Sequence, residues 1–402
     1  MLKKTLLFLY CVVVVVMAAA TFIEHANGYR LYGEWWFSLL WALLTAVAIV
    51  WFLQRRVRRP SVVMLHLSFV VILSGAGLTH VFSSQGAVHL RNGESTSRYM
   101  TEDGRLHPLP FTLRLDTFAV VYYKGTTSAA DYKSHLTLSD GQGWQKEAIV
   151  SMNNICSQNG IRLYQASYDD DGKGTVLGLN SDPWGIPTTY TGYALLFIAL
   201  IWILIDPKGQ YRQVLRSPLL RSHRFGIRLT FGLLLSGFFL LAGYILRIDP
   251  QADKLLPVLN SPFLLFHVSI IMMAYALLSL TFICSLTALC LSLIKKSEPT
   301  AVNSLAMLSR VFLFPALTTL GMGIFIGAVW ANISWGSYWS WDPKEVWALI
   351  TFMVYAAVVH TQSLPVFRRP IAYHLYVTLA FLTILMTYFG VNYLLGGMHS
   401  YA

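Results

Sequence analysis

The 402-residue chain is 55% hydrophobic and only 12% charged, a balance that excludes the surface of an ordinary soluble globular protein. Its formal net charge of +11 does not point to nucleic acid, because the cations sit at the ends of apolar runs and not along one soluble face. The four cysteines, Cys11, Cys156, Cys284 and Cys290, form no CxxC pair, which gives neither a thiol redox motif nor a disulfide framework.

Nine apolar runs approach or exceed the roughly 20 residues that a helix needs to cross about 30 Å of hydrocarbon. They are 4–23, 36–53, 62–82, 189–206, 226–246, 264–294, 306–330, 346–364 and 371–395. The fold class expected is an all-α polytopic membrane protein of about nine transmembrane helices carrying a small extracytoplasmic β-rich domain. The first run reads as a retained span and not as a cleaved signal, although Ala18, Ala19 and Ala20 resemble a cleavage region. Lys3 and Lys4, Arg55 to Arg59, the stretch Lys208 to Arg228, Lys295 and Lys296, Arg310, and Arg368 and Arg369 fall in alternate gaps. By the positive-inside rule those gaps face the cytoplasm, as does the amino terminus, while the carboxyl terminus lies outside. The location implied is a bacterial cytoplasmic (inner) membrane.

Four units follow: helices one to three in 1–82, a polar external domain in 83–188, a fourth span in 189–206, and a second membrane domain in 207–402. Within the external stretch, Phe111–Tyr123, Tyr132–Leu138, Ala148–Met152 and Ile161–Ala166 read as strands, broken at Asp140-Gly141 and Asn159-Gly160. The run Asp169-Asp170-Asp171-Gly172 lacks the alternating ligands and terminal Glu of a calcium loop, so it reads as a solvated turn.

The densest local feature is Trp335-Gly336-Ser337-Tyr338-Trp339-Ser340-Trp341-Asp342-Pro343-Lys344-Glu345-Val346-Trp347, with Trp330 just before it. Interfacial enrichment explains some of these indoles, and Asp342-Pro343-Lys344-Glu345 is a good helix start. The concentration of Trp335, Trp339 and Trp341 in one loop adds a second reading, a flat aromatic shelf for a flat apolar ligand.

Histidines form two pairs. His66 lies roughly 9 Å into the third span from the arginine end and His360 roughly 12 Å into the eighth from the same end, and an ionisable residue at such depth is a functional candidate. His267 opens the sixth span and His399 follows the ninth, both at the outer boundary beside the tryptophan loop. Two neutral imidazoles on opposite sides of a porphyrin satisfy both axial positions of iron. His25 and His80 also lie near the outer face, without an evident partner.

On these residues the chain resembles the system II cytochrome c synthetases, in which a ResB-like (CcsB) part and a CcsA part are fused. WGSYWSWDPKEVW is similar to the family's WWD signature, FGVNYLLGGMHSY to the CcsA carboxyl terminus, and LNSPFLLFHVSIIMMAYA to the CcsA segment that carries an external histidine. LHLSFVVILSGAGLTH and SMNNICSQNGIRLYQASYDDD resemble parts of the ResB half. The resemblance implies that His267 and His399 ligate the iron of an external haem. It places the loop containing Trp335, Trp339, Trp341 and Asp342 beneath the macrocycle, with His66 and His360 serving haem inside the membrane.

The activity implied is that of a holocytochrome c synthase-type lyase, which forms thioether bonds between haem vinyl groups and the cysteines of a CxxCH peptide. Haem b would be both substrate and bound intermediate. The partners implied are haem, a CxxCH apocytochrome, membrane lipid, a thiol-reducing protein and other maturation subunits, with no nucleic acid. The external domain looks shorter than in larger members. Two rivals stay open on the residues alone: a haem exporter that serves a separate ligation subunit, and a membrane di-haem electron-transfer protein.

Overall fold

The protein is represented by a computed structural model that describes every residue except 102, 246, 248–256, 258–260, 295–298 and 396–402. Ten helices occur among the described residues: α1 Leu2–Asn27, α2 Trp35–Gln54, α3 Pro60–Phe82, α4 Gly185–Ile205, α5 Gln210–Leu215, α6 Arg224–Ile245, α7 Pro262–Ile294, α8 Pro299–Ser334, α9 Pro343–Val359 and α10 Pro370–Leu385. A π-helical segment, Met386–Leu395, continues α10.

The all-α classification is overturned. Residues 84–181 form one eight-stranded antiparallel sheet in the order β5-β4-β3-β2-β1-β8-β7-β6, which is a second architecture and not an appendage to a helical fold. Its strands are β1 Ser84–Arg91, β2 Ser95–Met100, β3 Leu106–Tyr122, β4 Ala129–Ser139, β5 Gln145–Val150, β6 Cys156–Gln158, β7 Ile161–Tyr168 and β8 Gly174–Ser181. The count of nine spans also changes, because eight helices among the described residues are long and apolar enough to cross a membrane. The run expected at 346–364 becomes the 17-residue helix α9. It stops at Val359 because the chain turns there, with the Ser363 and Leu364 amides donating to the His360 carbonyl.

The sheet follows from period-two burial. Leu109, Phe111, Leu113 and Leu115 of β3 point inward, and Leu136, Leu138, Leu163, Leu177 and Leu179 complete the core. Asn159 (φ 51°) and Gly160 (φ 76°) are both left-handed and close a two-residue hairpin between Gln158 and Ile161, the geometry that matches strand twist. Asp169 and Asp171 both accept from Arg91, which ties the β7–β8 turn to β1.

Two apolar clusters hold the helices. One joins α4, α7, α8, α9 and α10 around Leu196, Leu278, Leu313, Leu320, Tyr355 and Tyr373. The other packs Val13 and Met17 of α1 and Phe37 of α2 on Val346 and Ile350 of α9. Glycine lets α3 and α4 close together: a Cβ at Gly75 would lie 2.2 Å from Thr189 Oγ1, and one at Gly192 would lie 2.6 Å from Ile72 Cγ1. Such small-residue contacts are how helices approach where lipid removes the hydrophobic drive between them. On α6, Phe225, Leu233, Phe239 and Leu240 are exposed, an apolar face suited to lipid.

Candidate functional site

The tryptophan loop lies between α8 and α9, and its second end is set by local sequence. Asp342 caps α9 by accepting from the Lys344 amide at 3.0 Å. Glu345 Oε2 accepts in return from the amides of Asp342 and Ser340, and Pro343 occupies the first helical position. This reciprocal capping satisfies backbone donors that the helix start would otherwise strand. Lys344 reaches Asn392 Oδ1 at 2.8 Å, joining the loop's exit to the π-helical segment before the carboxyl terminus.

The sheet holds the other end. Arg162 of β7 donates to Asn332 Oδ1 and to the Asn332 carbonyl, Asn180 of β8 donates to the Gly336 carbonyl, and Ser334 donates to Asn153 Oδ1. Burial pushes the Arg162 guanidinium down from its ordinary value. Gly336 has φ 72° and rests on the Tyr164 ring, where a Cβ would come within 2.2 Å of Cε1. Only glycine satisfies both constraints.

Tyr338 forms a third anchor. Thr79 of α3 donates to Asp182 Oδ2 at 2.6 Å. Because its one hydroxyl proton is so used, Tyr338 donates to Thr79 Oγ1 at 2.8 Å. Asp182 Oδ1 accepts from the Gly185 amide that opens α4. Burial pushes the Tyr338 phenol above its ordinary value, keeping it a neutral donor.

The indoles do not form one open shelf. Trp341, with φ 59°, stacks on Tyr32 at 4.9 Å and 8° and meets Phe37 edge-on at 5.0 Å. Trp339 meets Trp341 edge-on at 5.8 Å, and Trp335 meets Trp330 edge-on at 4.8 Å. The buried Trp339 Nε1 has no acceptor among the described residues.

His267 lies on α7 against α8. Its Nδ1 is 2.7 Å from the Gly323 carbonyl; a carbonyl only accepts, so Nδ1 carries a proton. Gly327 makes the room, since a Cβ there would be 2.6 Å from His267 Cε1. His399 lies outside the described residues.

The inner pair does meet. His66 of α3 and His360, the residue that ends α9, have ring centroids 6.2 Å apart and nearly perpendicular. His66 Nδ1 is 2.8 Å from the Val62 carbonyl and His360 Nδ1 is 2.8 Å from the Ala356 carbonyl, so both rings take the same tautomer. Phe52 of α2 packs 4.9 Å from His66, and Phe69 against Phe352 holds α3 to α9. No group of three or more His, Cys, Asp or Glu suited to a metal ion occurs among the described residues.

Sequence reading missed several of these supports. Gly323 and Gly327 form a small-xxx-small step in GMGIFIG, a visible signal for close helix approach. Thr79, Asp182, Arg162 and Asn180 gave no signal, because their roles exist only once the sheet sits on the loop.

Residues 193–399 match the cytochrome C assembly protein family, and residues 54–189 match the ResB-like family. The chain is 39% identical over 178 residues to protein NrfI of Wolinella succinogenes, covering 43% of this chain and 20% of that protein. It is 39% identical over 157 residues to the cytochrome c biogenesis protein CcsA of Chlamydomonas reinhardtii, covering 38% of this chain and 44% of that protein. It is 34% identical over 262 residues to the CcsA of Guillardia theta, covering 53% of this chain and 85% of that protein. The matches thus span less than half the length of the first two relatives and most of the third.

Proposed function

Because the chain belongs to the cytochrome c assembly protein family, with a ResB-like segment preceding that region, we propose that it moves haem b through the membrane. At the outer face it would attach haem to CxxCH apocytochromes c. The observation that carries this reading is the meeting of His66, from the ResB-like segment, with His360, from the assembly-protein region. Two metal–imidazole bonds of about 2 Å, with about 1 Å from each nitrogen to its ring centre, set bis-ligated ring centres about 6 Å apart. The 6.2 Å spacing fits that requirement, and each Nδ1–H is already given to a carbonyl, leaving Nε2 with its lone pair.

At the outer face, His267 is oriented by Gly323 and would act with His399. The Trp339 indole N–H is a buried donor suited to a ligand acceptor. The loop's aromatic rings exclude water from the substrate, while the sheet, through Arg162 and Asn180, and α3, through the Thr79 contact of Tyr338, fix the loop. Haem supplies the iron and two vinyl groups. Each thiol of the incoming peptide adds across one vinyl: its sulfur bonds to the inner vinyl carbon and its hydrogen goes to the terminal carbon, so no net oxidation occurs. Positioning two thiols against two vinyls supplies most of the acceleration, through effective concentration.

The orientation that suits this role has the amino terminus in the cytoplasm and the sheet outside a bacterial inner membrane, with a separate protein keeping the client thiols reduced. Haem spectra of the purified chain test the assignment. Changing His66, His360 or His267 to Gly should each remove one bis-imidazole component, and added imidazole should restore it. Unchanged spectra in all three variants would refute it.

A further inference from the structure

Two cations lie at the ends of the elements that bring the inner histidines together, and the structure fixes the position of each. Arg55 follows α2, and its guanidinium carbon sits 4.3 Å over the Trp51 ring. Phe52, three residues before Arg55, packs on His66, so Arg55 follows the turn of α2 that carries the His66 contact. Arg368, in the short 3-10 turn Pro365–Arg368 before α10, donates from Nε to the Thr361 carbonyl at 3.1 Å, and Thr361 directly follows His360. Among the described residues neither guanidinium pairs with a carboxylate.

We propose that Arg55 and Arg368 form a carboxylate clamp that binds the two propionates of a haem held by His66 and His360. The porphyrin thereby lies with its propionate edge toward the arginine end of the bundle and its vinyl edge toward the tryptophan loop. This inference rests on the haem assignment of the inner pair and adds the residues that choose the ligand's orientation. Guanidinium is suited to the task because its fork of donors matches a carboxylate and it is weakly hydrated. His66 lies seven residues beyond Arg59, the residue that caps α3, roughly 10 Å along the helix. The clamp places the propionate edge of a ligated porphyrin in this interval between the imidazoles and the arginine end. An arginine that served only lipid headgroups or the positive-inside rule would be indifferent to the ligand's charge.

The full-length chain carrying His267→Gly, which removes the outer site, is titrated in neutral-lipid nanodiscs with haem and with haem dimethyl ester, whose propionates are uncharged. Binding is read from the absorbance of the ligated iron. The clamp predicts that this protein prefers haem over the ester by at least tenfold, and that Arg55→Gln with Arg368→Gln removes the preference by weakening haem alone. Arg368→Lys should retain part of it. If the double variant does not fold, each single Gln variant should lose part of the preference. An unchanged haem-to-ester ratio in the Gln variants, or a starting protein with no preference, overturns the clamp. Unchanged affinity for both ligands after His66→Ala and after His360→Ala overturns the underlying haem assignment instead.

Discussion

Gly327→Ala tests the outer site without touching a proposed ligand. The new Cβ would lie 2.6 Å from His267 Cε1, 2.7 Å from Nδ1 and 3.2 Å from Nε2. Carbon contacts are comfortable at about 3.5 Å or more, so the ring must retreat by about 1 Å. A retreat of that size breaks the 2.7 Å hydrogen bond to Gly323; the carbonyl keeps its intrahelical amide, so the group stranded is the His267 Nδ1–H, at a cost of about 1–3 kcal/mol. A reacting group misplaced by about 1 Å loses rate by about 100-fold. Covalent haem on a CxxCH reporter, expressed with this chain in a host lacking its own maturation system, should therefore fall by about one to two orders of magnitude. Gly232→Ala is the control, since a Cβ there meets nothing within 4 Å, and it should be neutral. Reporter loading at the unsubstituted level in Gly327→Ala, with an unshifted outer-haem spectrum, would refute the orientation of His267 by α8.

Other perturbations probe the loop and the sheet. Tyr338→Phe removes a donor to Thr79 and should cost about 1 kcal/mol, read as a lower melting temperature with reduced reporter loading; full loading would show that this anchor does not position the loop. Trp341→Ala loses the stack on Tyr32 and the Phe37 contact and should destabilise by about 3 kcal/mol, detectable as earlier loss of haem on heating. Gly160→Val forces a branched side chain into φ 76° and should cost at least about 1–2 kcal/mol, seen as lower protease resistance of the sheet. Burial pushes the Cys156 thiol up. Its folded pKa thus exceeds its unfolded one, so its contribution is present below the unfolded pKa, about 8.5, and is lost as pH rises beyond it. The melting-temperature advantage over Cys156→Ala should shrink between pH 7 and 10, and a constant difference would contradict the burial argument.

Hydropathy made the membrane helices legible because lipid exposure is a one-dimensional property of sequence. Phe225, Leu233 and Leu240 declare their environment without a partner. Strands β3, β4, β5 and β7 showed through alternation, and Asn159-Gly160 marked its own hairpin. Strands β1, β2 and β8 did not, since Val88, Leu90 and Tyr99 are too sparse to give a pattern, and their placement comes from pairing β1 with β8. That pairing turns a presumed appendage into an eight-stranded sheet. The end of α9 was also hidden: the apolar run continues to Leu364, yet the backbone turns at His360, which therefore sits at a helix end and not within one. The meeting of His66 and His360 was suggested by matched depths, whereas Arg162, Asn180 and Thr79 became visible only through contacts between distant segments.

The central proposal is that this chain attaches haem to its client. It is tested by expressing it with a CxxCH apocytochrome in a host without c-type maturation and staining the denatured reporter for haem. The account predicts a haem-positive reporter that is lost with His267→Gly and regained with imidazole. A reporter without covalent haem, alongside a purified chain that retains its bis-imidazole spectrum, would contradict it and leave haem transport as the activity.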